Sequence, residues 1–99
     1  NKKLAPVSIA VLPLLKKYHA EKAEEIFTNL SKHFNTQYDE TGNIGKRYRR
    51  QDAIGTPYCV TIDEDTLQQG TVTVRDRDSM TQIKLSVSEL KSFFEKQFE

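Results

Sequence analysis

The sequence predicts an α/β domain in three layers: a five-stranded mixed sheet with three helices on its faces. Three observations lead there. Residues 7–12 and 58–62 are short apolar runs, which suits strands buried on both sides, as central parallel strands are. Helical spacing of apolar residues separates the strands of the first half, and a helical crossover joins parallel neighbours with a right-handed turn. Past Ile62 the pattern becomes alternation, and residues 63–70 are too few for a crossover helix, so the next strand runs antiparallel.

In chain order, residues 1–6 read as a tether, and Pro13 closes the first strand. The first helix is expected over residues 18–34, where Ala23, Ile26, Phe27, Leu30 and Phe34 share one face. Glu21, Glu24 and Glu25 towards its start and Lys32 and His33 at its end complement the helix dipole. His19 and His33 are expected on its polar surface. Neither has a Cys or second His at ligand spacing, so a metal site is not expected. Residues 35–40 form a short strand with Tyr38 inward. Thr41-Gly42-Asn43 then turns into a second helix with Asn43 as its N-cap.

That second helix carries most of the charge pattern. Four of the six residues in Gly45-Lys46-Arg47-Tyr48-Arg49-Arg50 are cationic. Gly55 suits a left-handed stop, and Pro57 cannot continue a helix. Ile44 and Tyr48 share the inner face with Gln51 beside them, Lys46, Arg49 and Arg50 point outward, and Arg47 lies on the border. Beyond the third strand, residues 63–70 are expected as a loop. Residues 71–75 alternate, with Val72 and Val74 on one face and Thr71, Thr73 and Arg75 on the other. Residues 81–87 form the last strand, with Ile83, Leu85 and Val87 inward. Ser86 and Ser88 both suit an N-cap for the last helix, and the alternation through Val87 favours Ser88. That helix buries Leu90, Phe93, Phe94 and Phe98.

Composition limits the classes open to the chain. Its 99 residues suit one domain, and at 36% hydrophobic the core must be concentrated in few elements. The longest apolar run, residues 9–15, is broken by Pro13, so no membrane span is expected, and no signal peptide is visible. The chain starts with Asn1 rather than Met, which suggests cutting or trimming. The lone Cys59 has no internal disulfide partner, which suits a reducing, cytoplasmic setting. Net charge is only +1, but all five arginines fall at 47, 49, 50, 75 and 77. Guanidinium forks suit phosphates and base edges better than lysine does. The segregated set therefore suggests a nucleic-acid surface, weighed against ion pairs with Asp52, Asp76 and Asp78.

No catalytic set is apparent. Gly42-Asn43-Ile44-Gly45 is too short for a phosphate-cradling loop. Asp63-Glu64-Asp65 lacks the ligand spacing of a calcium loop, although a carboxylate there can accept from a cytosine amino group. Asp76 and Asp78 are expected to orient the neighbouring arginines.

Three segments carry a resemblance that covers nearly the whole chain, in the family's order and spacing. They are Leu4-Ala5-Pro6-Val7-Ser8-Ile9-Ala10-Val11-Leu12-Pro13-Leu14, the stretch Gly42 to Pro57, and Val72-Thr73-Val74-Arg75-Asp76-Arg77-Asp78-Ser79-Met80. Together they resemble the C-terminal anticodon-binding domain of glycyl-tRNA synthetase of the dimeric class II type. The resemblance implies strand order 2-1-3-4-5 with strand 4 reversed, and residues 1–6 as the tether from an absent upstream catalytic domain. It implies that the partner is the anticodon loop of glycine tRNA, and that the parent is a homodimeric ligase. ATP and magnesium would belong to that catalytic domain and no cofactor to this one. Positions matching Thr41, Asp65 or Thr66, and Arg75 fall in the family's anticodon-contacting region, and the turn 39–43, the loop 63–66 and Arg75 are expected to converge at one end of the sheet. Lys46, Arg47, Arg49, Arg50 and Arg77 are the candidates for holding phosphates or for positioning. The alternative is the same fold reused for protein or DNA contacts, as in the accessory subunit of a mitochondrial DNA polymerase.

Overall fold

The computed structural model describes residues 7–98. The expected tether over residues 1–6 lies outside them. The elements are β1 (Ile9–Pro13), α1 (Lys16–Ser31), β2 (Thr36–Tyr38), α2 (Ile44–Ile54), β3 (Tyr58–Ile62), α3 (Glu64–Gln69), β4 (Thr71–Asp76), β5 (Gln82–Ser86) and α4 (Leu90–Gln97). The sheet order is β2-β1-β3-β4-β5, as expected. β1 pairs in parallel with β2 and β3, and β4 runs antiparallel to β3 and β5.

All five residues of β1 and all five of β3 are buried, because helices cover both faces. On one face Ile9, Val11, Tyr58, Val60, Ile62, Val72 and Val74 meet Ala23, Ile26 and Leu30 of α1 and Leu90 and Phe94 of α4. On the other, Ala10, Leu12 and Cys59 meet Ile44 and Tyr48 of α2. This second layer is thin and covers β1 and β3. The α2 face of β4 and β5 is polar, as strict alternation requires.

Four local expectations are corrected. Residues 63–70 hold a fourth, six-residue helix rather than a loop. Asp63 accepts from the Thr66 N–H while Thr66 Oγ1 accepts from the Asp63 N–H, a reciprocal cap that closes one turn within the short connection. Gly70 ends it at φ 73°, a left-handed angle that favours glycine. α1 begins at Lys16, so Glu21, Glu24 and Glu25 fall beyond its first turn and do not serve the dipole. His19 is buried rather than on the polar surface, and its Nδ1 accepts from the Leu15 N–H at 3.1 Å, in the role of a cap. Before α4, a 3-10 turn covers Val87–Glu89, and Ser86 rather than Ser88 takes the cap position. Glu89 reaches back to the Ser86 N–H at 3.1 Å and hydroxyl at 2.8 Å, and those bonds hold its carboxyl below the usual range. In the second helix, Asn43 caps as expected, accepting from the Lys46 N–H at 2.9 Å, and Gly55 stops it at φ 82°.

Candidate nucleic-acid interface

Alternation places Thr71, Thr73 and Arg75 of β4 on the face opposite the main core. Register sets Thr73 beside Lys84 and Arg75 beside Gln82. This strip is open because α2 stops over β3. Its floor is polar, its α2 side carries the basic helix, and α3 closes one end.

Arg75 is the most constrained residue of the strip. Its Nη1 and Nη2 donate to the two carboxylate oxygens of Asp52, at 3.0 and 3.2 Å. The guanidinium lies 5.0 Å from the centre of the Tyr48 ring, and Nη2 also donates to Met80 Sδ at 3.4 Å. Tyr48 is fixed in turn by a hydrogen bond between its hydroxyl and Thr61. The bonds to Asp52 push the Arg75 pKa above its already high ordinary value. Of the two acids expected to orient the neighbouring arginines, Asp78 does meet Arg77, at 3.5 Å, while Asp76 accepts from the Asp78 and Ser79 N–H groups in the β4–β5 turn. Arg77 Nε donates to the Asp52 carbonyl at 3.2 Å.

The expected convergence at one end of the sheet is only partial. Thr41 and residues 63–66 lie past the C-terminal ends of β2 and β3. Arg75 pairs with Cys59, three residues back along β3, which is roughly 10 Å of strand. The antiparallel register causes this: β4 starts at the α3 end and has run most of its length when it reaches Arg75. Asp65 and Thr66 also separate. Thr66 is buried and its hydroxyl donates to the Thr71 carbonyl at 2.6 Å, so it holds the connection. Asp65 is half exposed and meets Lys84 Nζ at 2.6 Å. Thr41 is exposed, and its carbonyl accepts from Arg50 at 3.1 Å.

The cations of α2 are not presented together. Arg47 is 3% exposed and donates to the carbonyls of Pro13, Gly42 and Thr41. It braces the helix from beneath and is not placed to meet a phosphate. Arg50 pairs with the buried Asp39 at 3.3 Å. Gln51, also buried, links Asp39 to Thr56 in the same layer. Lys46 and Arg49 remain exposed, and Arg49 stands one turn before Asp52 on the flank that faces the strip. Sequence reasoning missed Tyr48 and Lys84 as members of this surface, and named Asp52 as an ion-pair partner of the arginines without saying of which one. The alternation Gln82, Lys84, Ser86 was the available signal for Lys84. For Asp52 the ion pair was foreseen but not its partner, which lies 23 residues away.

Cys59 lies beside Arg75 on the same sheet face, packed under Ile44 and Tyr48 of α2, and burial pushes its thiol up to about 12. Disulfide reagents at pH 8 are expected to leave it unlabelled in the folded chain and to label it fully in denaturant, since the thiolate is the nucleophile. The unfolded chain releases this proton near pH 8.5 and the folded chain keeps it, so this group's contribution to stability declines as pH rises from there towards 12. Rapid labelling of the native chain would contradict this.

A family model described as an anticodon binding domain matches residues 8–97. The glycine–tRNA ligase of Clostridium perfringens is 58% identical over 96 residues, 97% of this chain and 20% of that protein. That of Acetivibrio thermocellus is 59% identical over the same share of this chain and 21% of its own length. The chain thus spans about a fifth of these relatives. The RNA-binding domain structure of threonyl-tRNA synthetase from Cryptosporidium parvum superposes with TM-score 0.84 at 26% identity, over 92% of this chain and 23% of that one. Prolyl-tRNA synthetase from the same organism gives TM-score 0.86 at 21% identity, over 96% and 22%, a likeness of fold. These comparisons lend no support to the polymerase-accessory alternative. With the family match running from β1 to the end of α4, the chain belongs to the anticodon-binding domain family, in the form that glycine–tRNA ligases carry.

Proposed function

We propose that this domain recognises the anticodon loop of glycine tRNA for a parent ligase that attaches glycine to that tRNA. The observation that carries this reading is Arg75, a largely buried guanidinium held by Asp52 and Tyr48 at the edge of an open polar strip. Glycine anticodons end in two cytosines. Cytosine offers an amino donor and ring acceptors, so an arginine and a carboxylate make a complementary pair for splayed bases. Arg75 supplies donors. Asp65 supplies the acceptor and exchanges Lys84 for the cytosine amino group. Thr41 contacts the loop from the neighbouring rim. Lys46, Arg49 and Arg77 hold phosphates, which orient the RNA without specifying its sequence. Arg47 and Arg50 position the helix, and Thr66 positions the Asp65 turn. Activation of glycine with ATP and magnesium belongs to the parent's catalytic domain, and that parent works as a cytoplasmic homodimer.

The test is a titration of the chain with a glycine anticodon stem-loop and with one whose two cytosines are changed, at low and moderate salt. Arg75→Ala is expected to weaken the cognate loop by about 1–3 kcal/mol and the changed loop by less. Equal losses for both loops, or no binding of the unmodified chain to either at low salt, would overturn the reading.

A further inference from the structure

We infer that Asp52 is a specificity-determining residue: by clamping Arg75 it makes that arginine a reader of base edges instead of a phosphate anchor. The inference rests on the reading of Arg75 given above. An unpaired arginine at an RNA surface attracts any phosphate, because its charge acts at a distance on every backbone it meets. Asp52 meets it two-pronged, so the positive charge is largely balanced locally while hydrogen-bond donors remain. Of the five guanidinium donors, Asp52 takes two and Met80 Sδ one. Among the described residues nothing engages the other two.

The same contacts fix direction. Asp52 holds one edge of the guanidinium, the Tyr48 ring covers a face, and Met80 sits against Nη2. Only 9% of the Arg75 side chain is exposed, against 35% for Asp52. A buried, oriented and charge-balanced fork makes a poor phosphate anchor and a good partner for a base edge of fixed geometry. Asp52 stands on the most basic helix of the chain yet faces inward to β4, and its backbone carbonyl also holds Arg77. One residue thus sets two arginines at the strip.

Asp52→Asn keeps the shape and removes the charge. In the stem-loop titration it is expected to cut selectivity for the cognate loop over the cytosine-changed loop by about tenfold. Binding of the changed loop holds or tightens, and the salt slope steepens by about 1, as one more cation becomes available to phosphate. Loss of stability alone would weaken both loops equally and leave the slope unchanged. Unaltered selectivity and slope in a folded Asp52→Asn chain overturn the inference. Should that variant not fold, Asp52→Glu carries the test: it retains the charge balance and shifts the fork, so the slope stays and selectivity falls, and full selectivity overturns the inference. Arg75→Ala alongside separates the two levels. If it too keeps selectivity, the base-reading role of Arg75 fails. If it loses selectivity while Asp52→Asn does not, only the role of Asp52 fails.

Discussion

Truncating Phe94 to alanine is expected to destabilise the domain by about 3–5 kcal/mol, the largest effect of any single change considered. Phe94 is fully buried on the inner face of α4. Its ring lies 5.4 Å from that of Tyr58, 5.9 Å from Phe34, 5.2 Å from Phe93 and 5.9 Å from Phe98. The cluster joins α4 to the α1–β2 turn and to the central strand β3. Removing its middle ring opens a cavity that four rigid neighbours cannot fill by relaxing, and it removes edge-to-face contacts of about 0.5–1.5 kcal/mol each. Small domains have about 5–15 kcal/mol in total, so the variant is expected to be largely unfolded at physiological temperature if the parent stability is at the low end. Urea unfolding followed by circular dichroism measures this. A cost below about 1 kcal/mol would mean that α4 does not close the core. Phe98→Ala should cost less, because that ring is only partly buried.

Replacing Arg47 by methionine is expected to cost about 3 kcal/mol, with little direct effect on RNA contacts. The guanidinium is buried between the end of β1 and the β2–α2 turn. Nη1 donates to the Pro13 carbonyl, Nη2 to that of Gly42 at 2.6 Å, and Nε to that of Thr41 at 3.4 Å. Methionine fills much of the volume but satisfies none of these carbonyls, and Pro13 at the strand end is shielded from water. Lysine cannot substitute, because a single ammonium does not reproduce the fork. The distinguishing measurement is the salt dependence of stem-loop binding by the folded variant. A positioning role leaves the slope unchanged while the unfolding midpoint falls. A slope reduced by about 1 with unchanged stability would make Arg47 a phosphate contact after all.

Arg47 shows what kind of information the chain conceals. The helical wheel puts it at the edge of the inner face, and nothing local says which way it turns. Its decisive partner, Pro13, is 34 residues away. Asp52 is similar: beside three arginines it reads as an ion-pairing surface acid, and only the placement of α2 alongside β4 reveals its bond to Arg75. His19 has polar helix neighbours in sequence, yet the entry of α1 folds it inward against Leu15. The 63–70 helix failed for a different reason. Its cap is local and visible, Asp63 followed three residues later by Thr66, but the threonine plays the part usually given to glutamate or glutamine.

Local chemistry did determine the strands, the stops and the layers. The apolar runs of β1 and β3 allow no face to meet water, alternation in β4 admits one orientation, and Asn43, Gly55 and Pro57 bound the basic helix wherever it packs. These features depend on residues within a turn or a strand of one another, so sequence determined them by itself. Which arginines reach solvent, which are clamped, and how far Arg75 stands from Asp65 depend on contacts between distant segments. Those contacts exist only once β3 and β4 pair in register and α2 settles over β1 and β3, so the tertiary structure alone decided the interface.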